Sequence, residues 1–173
     1  MKARSNYHLG LLAGMLLFPL PSISSAFQDE PSHFRGIKWG INVNDIPGLK
    51  FLVGYEEAKS YQRRNDKMRM GDAKIDSVSY IFYKDKFCSV YIGFRGRLNF
   101  QKIKEILIER HGEPHRPNET METYIWRGDV VDIAFRYKEE ISKKGSLIYW
   151  FKPIMQEKIL DEKKKAAKRR PTN

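Results

Sequence analysis

The chain predicts an α+β fold: a mainly antiparallel sheet of six or more strands, one principal helix at about 99–111 packed on one face, and a short C-terminal helix. Three observations carry this. Val78, Tyr80 and Phe82, then Cys88, Val90, Ile92 and Phe94, recur at period two, which places each set on one side of a strand. Phe100, Ile103, Ile106, Leu107 and Arg110 recur at three and four, the spacing of one helix face. A second alternating pair, Tyr124 and Trp126 with Val131, Ile133 and Phe135, follows the helix.

Phe34 to Gly40 alternates around Gly36 and reads as a short strand with a glycine bulge or close backbone approach. Asn44, Asp45, Pro47 and Gly48 punctuate a turn or one short helical turn before Leu49, Phe51, Leu52 and Val53. Residues 55–73 fit a polar hairpin turning at Asn65-Asp66, with Met68 and Met70 on one face and an exit at Gly71-Asp72. That hairpin brings Arg63, Arg64, Lys67 and Arg69 together. In the central pair, a three-residue loop at Lys84, Asp85 and Lys86 pairs Phe82 with Cys88, Tyr80 with Val90 and Val78 with Ile92, keeping every apolar residue on one face.

The helix is expected to be capped by Asn99, with Leu98 and Ile103 as a hydrophobic staple, and to end at Gly112 before Pro114. A two-residue Gly128-Asp129 turn then pairs Trp126 with Val131 and Tyr124 with Ile133. Ser146 to Lys152 is apolar on both sides and suits a central strand. Pro153 opens a helix anchored by Ile154, Met155, Ile159 and Leu160, and residues 161–173 read as a basic flexible tail.

Lys2 and Arg4, an apolar run from Leu9 to Leu20 and the small residues Ser24 and Ala26 form the pattern of a secretory signal peptide over residues 1–26. Cleavage after Ala26 leaves a mature chain of 147 residues, the size of a single globular domain, here 27–160 before the tail. The expected address is exported, periplasmic or secreted, with no transmembrane segment in the mature chain. Cys88 is the one cysteine, so no disulfide forms within the chain, and it reads as a small buried hydrophobe. Removing Lys2 and Arg4 from a net charge of +11 leaves +9, of which +5 lies between Lys158 and Arg170.

No phosphate loop, nucleophile elbow, H-E-x-x-H or C-x-x-C motif is present in the sequence. His111, Glu113 and His115 lie in a segment broken by Gly112 and Pro114, and read as a helix-end histidine favoured by the dipole beside an exposed one, with no metal or cofactor expected. Two surfaces are candidates for binding. One is the basic hairpin carrying Arg63, Arg64 and Arg69; the other is an aromatic reverse face of the central strands with Tyr83, Phe87 and Tyr91. Cross-strand aromatics also stabilise sheets without any ligand. The basic end, Lys163, Lys164, Lys165, Lys168, Arg169 and Arg170, suits another envelope protein or an anionic envelope polymer or lipid surface, and export argues against chromosomal nucleic acid.

An export signal, an opening F-x-G-I-x-W-G (Phe34, Gly36, Ile37, Trp39, Gly40), an alternating hairpin, a helix closing in H-G-E-P (His111 to Pro114) and Trp126 on the next strand follow in order. In this the chain resembles an uncharacterised family of small exported bacterial proteins. The resemblance covers most of the mature chain; its motifs are structural and carry over no functional residue. The expected function is a non-catalytic exported binding or interaction module. The alternatives are an enzyme whose site is assembled from scattered residues, and an inhibitor or accessory subunit of another exported protein.

Overall fold

The computed structural model describes residues 27–139 and 143–168, so the expected signal peptide and residues 169–173 lie outside the described residues. The strands are β1 (His33–Phe34), β2 (Ile37–Lys38), β3 (Leu49–Tyr55), β4 (Ala58–Arg63), β5 (Arg69–Met70), β6 (Ala73–Lys74), β7 (Ser77–Tyr83), β8 (Lys86–Arg95), β9 (Thr123–Arg127), β10 (Val131–Lys138) and β11 (Lys144–Phe151). Helix α1 (Arg97–His111) joins β8 to β9, and α2 (Lys152–Lys168) follows β11. A seven-stranded antiparallel sheet runs in the order β3-β4-β7-β8-β11-β10-β9, while β1-β2 and β5-β6 form two small hairpins. No helix among the described residues is long and apolar enough to cross a membrane.

Alternation decides the faces. Val78, Tyr80, Phe82, Val90, Ile92, Phe94, Ile133 and Phe135 share one core with Phe100, Ile103 and Leu107 of α1. The Phe100 ring stacks 4.8 Å from Tyr137 and 5.1 Å from Phe135, locking the first turns of the helix onto the sheet. Tyr83, Cys88 and Ile154 form a separate cluster under α2, on the reverse face. Strand β3 is an edge, with Phe51 and Val53 54% and 64% exposed. A bulge between these two residues, with Lys50 beside it, interrupts the regular ladder that would invite a further strand.

The central hairpin keeps the expected pairs Tyr80–Val90 and Val78–Ile92 but turns differently. Its loop has two residues, Lys84 and Asp85, both at positive φ (47° and 61°), so Phe82 pairs with Phe87. A bulge between Ile81 and Phe82 then absorbs one residue and restores the register. Phe87 therefore enters the main core, and Cys88 turns to the reverse face, where its thiol donates to Ile81 O at 3.4 Å and burial pushes its pKa up to about 12. The strained turn is tied down on both sides: Asp85 O accepts from Val43 N at 2.8 Å, and the Asp85 carboxylate accepts from Lys59 at 2.8 Å.

Other boundaries also move. The hairpin expected around Asn65-Asp66 is replaced by β3-β4, closed by Glu56-Glu57, and by the small β5-β6 turn at Gly71-Asp72. Helix α1 starts two residues early, after Gly96 at φ 86°, and Asn99 lies in its first turn. There the Asn99 amide donates to Arg95 O and accepts from Lys74 N, tying β6 to the helix, while Leu98 stays 64% exposed and makes no staple. Strands β9 and β10 pair Trp126 with Ile133 and Tyr124 with Phe135, two residues along from the expected register. The face is unchanged because a shift of two preserves it. The longer loop is held open by the Glu30 carboxylate, which accepts from the backbone N–H of Asp129, Val130 and Val131. Helix α2 is anchored by Ile154 and Met155, while Ile159 and Leu160 stay exposed, and it continues past Glu162 to Lys168, where charge holds it. Lys84 reaches Glu157 and Asp161 at 2.8 and 2.7 Å, Tyr83 donates to Asp161 at 2.9 Å, and Lys165 pairs with Glu56.

Candidate functional site

The main face of the sheet is roofed by α1 on one side and the N-terminal hairpin on the other, and a cleft of about 580 Å³ remains between them. Its floor is Ile92 of β8 and Tyr149 of β11. One wall is the strap from Asp29 to Arg35, another is Arg69 and Met70 of β5, and the third is the end of α1 at Arg110 and His111.

The strap is fixed by few but specific bonds. Trp39 stacks 4.7 Å from Phe87 and donates its indole N–H to Pro31 O at 2.7 Å. Phe34 packs 5.4 Å from Tyr149. Arg35 and Gly36, at φ 49° and 81°, form the tight turn between β1 and β2 that a glycine second position permits. This turn aims Arg35 at Asp66, with Nη1 and Oδ1 2.6 Å apart, and at Arg69 O, 3.3 Å from Nη2. Asp66 also accepts from the hydroxyl of fully buried Tyr80 at 2.8 Å, and Arg63 donates to Arg35 O at 3.3 Å.

Arg63 and Arg69 are thus brought to the same network, through Arg35. Arg64 is exposed, and its N–H bonds Gly48 O outside that network. Tyr83, Phe87 and Tyr91 do not form a shared platform. Phe87 is fully buried in the main core beneath Trp39, Tyr83 is covered by α2, and Tyr91 alone is exposed, at 39%. The bulge beside Phe82 separates Phe87 from the other two, a shift invisible in the period-two pattern.

Two polar side chains lining the cleft are more than nine-tenths buried. Tyr149 is 3% exposed, and burial pushes its pKa up to about 12, with Arg110 and Arg35 opposing. His111 is 1% exposed, lies beside the Phe27 ring at 5.2 Å, and shares its Nδ1 hydrogen with Gln28 O at 3.2 Å. A carbonyl can only accept, so Nδ1 is the protonated nitrogen and Nε2 is a buried acceptor without a donor. His111 does end the helix, as expected, but as a buried side chain whose proton affinity burial lowers, rather than as a cation favoured by the dipole. Its position four residues beyond Leu107 extends the apolar stripe of α1, which is the signal that could have placed it in the core.

Burial lowers the His111 pKa below the ordinary 6.5. Between those two values the unfolded chain binds the proton that the folded chain refuses, so stability is complete above pH 6.5 and declines as pH falls below it. Urea unfolding is expected to show stability falling between pH 7.5 and 5.5, by no more than about 1.4 kcal/mol per pH unit. His111→Gln keeps a donor for Gln28 O without a titrating ring, and the slope is expected to vanish in it.

No family model, no curated protein and no solved structure matches this chain. Among the described residues no cluster of three or more His, Cys, Asp or Glu side chains could hold a metal ion. What the cleft offers is positive charge over a hydrogen-bonding floor. Arg110 has no carboxylate within ion-pairing distance among the described residues. Arg69 has only Asp72 at 3.7 Å, both side chains more than half exposed. Such a loose exposed pair is worth little and yields readily to a ligand. Of the carboxylates lining the cleft, Glu30 is engaged by three backbone N–H groups.

Proposed function

We propose that the protein is an exported, non-catalytic binding module whose cleft takes a small anionic ligand, with Arg69 and Arg110 facing its charge and Tyr149 below. The observation that carries the reading is a cleft walled by Arg69 and Arg110, neither of them held by a close carboxylate among the described residues, over the side chain of Tyr149. Arginine presents a planar fork of donors that matches carboxylate and phosphate oxygens, and a phenol adds a neutral donor from below. The signal-peptide pattern of residues 1–26 supports export. The basic end, with Lys163, Lys164 and Lys168 exposed and Arg169 and Arg170 following in sequence, makes the second contact of the module, with an anionic envelope component. Lys165 belongs instead to the anchorage of α2 through Glu56.

The test expresses the full chain with its leader, recovers it from the cell envelope with Phe27 at its N-terminus, and titrates it by calorimetry with citrate, inorganic phosphate and benzoate. At least one of these is expected to bind, and Arg69→Glu/Arg110→Glu to weaken it at least about tenfold, since two charge-assisted contacts are reversed. Tyr149→Phe, which leaves the packing intact, is expected to weaken it about fivefold. Equal affinity in wild type and the double variant would overturn the cleft assignment.

A further inference from the structure

The outer face of α2 is built differently from its inner face. The inner face is committed to the sheet: Ile154 is 7% exposed, Asp161 accepts from Tyr83, and Lys165 pairs with Glu56. Away from that face lie Ile159 at its edge and Leu160, 47% and 56% exposed, followed one turn later by exposed Lys163 and Lys164, while exposed Lys168 closes the helix on the Asp161 side. Ile159–Lys163 and Leu160–Lys164 are i,i+4 neighbours, so each apolar side chain lies directly beside a lysine. Glu162 is engaged by Lys158 at 3.5 Å, and none of these three lysines has an ion pair among the described residues.

We propose that this face of α2 docks on an anionic lipid surface. This rests on the basic end making an anionic contact, and is independent of the cleft. The chemistry selects lipid over a hydrated acidic polymer. A polymer would satisfy the lysines and leave Ile159 and Leu160 in water, whereas a lipid interface takes the apolar pair between its headgroups while the long lysine stems reach back to the phosphates. The docked α2 would lie in the interface plane, with the sheet behind it.

The experiment is cosedimentation of the mature chain with phosphatidylglycerol–phosphatidylethanolamine vesicles and with phosphatidylcholine vesicles, alongside binding to polyglutamate. Wild type is expected to bind the anionic vesicles and to leave the zwitterionic ones. Lys163→Gln/Lys164→Gln/Lys168→Gln is expected to lose at least about tenfold in partitioning to anionic vesicles, each lysine contributing near the surface. Ile159→Ser/Leu160→Ser is expected to lose a similar factor with vesicles and none with polyglutamate. All five positions are exposed, so circular dichroism should be unchanged. If the Ile159/Leu160 variant partitions like wild type, the contact is purely electrostatic and the lipid inference fails while the basic-end contact stands. If the lysine variant retains both vesicle and polyglutamate binding, both fail.

Discussion

Gly145→Ala is expected to destabilise the fold by about 3 kcal/mol, and Gly145→Val to prevent folding at 37 °C. Gly145 sits in β11 between Phe94 of β8 and Tyr137 of β10. A Cβ built on it falls well inside van der Waals contact with three carbons of the Phe94 ring. That ring cannot retreat, because it is 1% exposed and stacked between neighbours, 5.5 Å from Phe135 and 6.3 Å from Tyr137. The glycine is thus the space into which the aromatic stack of the main core fits. Urea midpoints measure the effect, and the mechanism is checked by Gly145→Ala/Phe94→Leu, which should recover part of the loss. A Gly145→Ala change within 1 kcal/mol of wild type would mean the ring moves more freely than its packing allows.

Asp66→Ala is the second change with a large expected effect, about 3 kcal/mol. Its carboxylate neutralises Arg35 and accepts from the Tyr80 hydroxyl, which has no exposed surface. Removing it leaves a buried donor unmatched and a half-buried guanidinium uncompensated, each of which costs more than the bond itself was worth. Asp66→Asn keeps an acceptor for Tyr80 and is expected to lose about half as much. Because Arg35 holds Arg69 through Arg69 O, the same substitution should also weaken anion binding in the cleft. Chemical denaturation and calorimetry on one preparation separate the two effects, and a loss under 0.5 kcal/mol would remove Asp66 from the framework.

Asp66 also shows why the site was only partly legible. Its position beside Asn65 made it look like a turn residue, and nothing local reports that Arg35, thirty-one residues earlier, and Tyr80, fourteen later, converge on it. The basic pattern predicts that Arg63 and Arg69 meet, and they do approach one another, though through Arg35 and not across a shared hairpin. Tyr149 and Arg110, which line the cleft, carry no local signal beyond that of a strand and a helix residue. A floor residue is recognised only by what fails to cover it.

The sequence by itself determined the elements whose pattern is local. The period-two sets in β7, β8, β9 and β10 and the three-four set of α1 specified an α+β fold with one shared core, and Gly112 marked the end of α1. Pairs such as Tyr80–Val90 followed, because a mis-register of one residue would expose the entire apolar face. The tertiary structure decided what that constraint leaves free. Slips of two residues, as between β9 and β10, and compensated slips, as at the Ile81 bulge, keep the apolar face inside and so leave no trace in the hydrophobic pattern. The two-residue Lys84-Asp85 turn, the Glu30 clasp, the charge-held α2 and the arginine-walled cleft all depend on bonds between segments distant in the chain, and those bonds exist only once the sheet has brought the segments together.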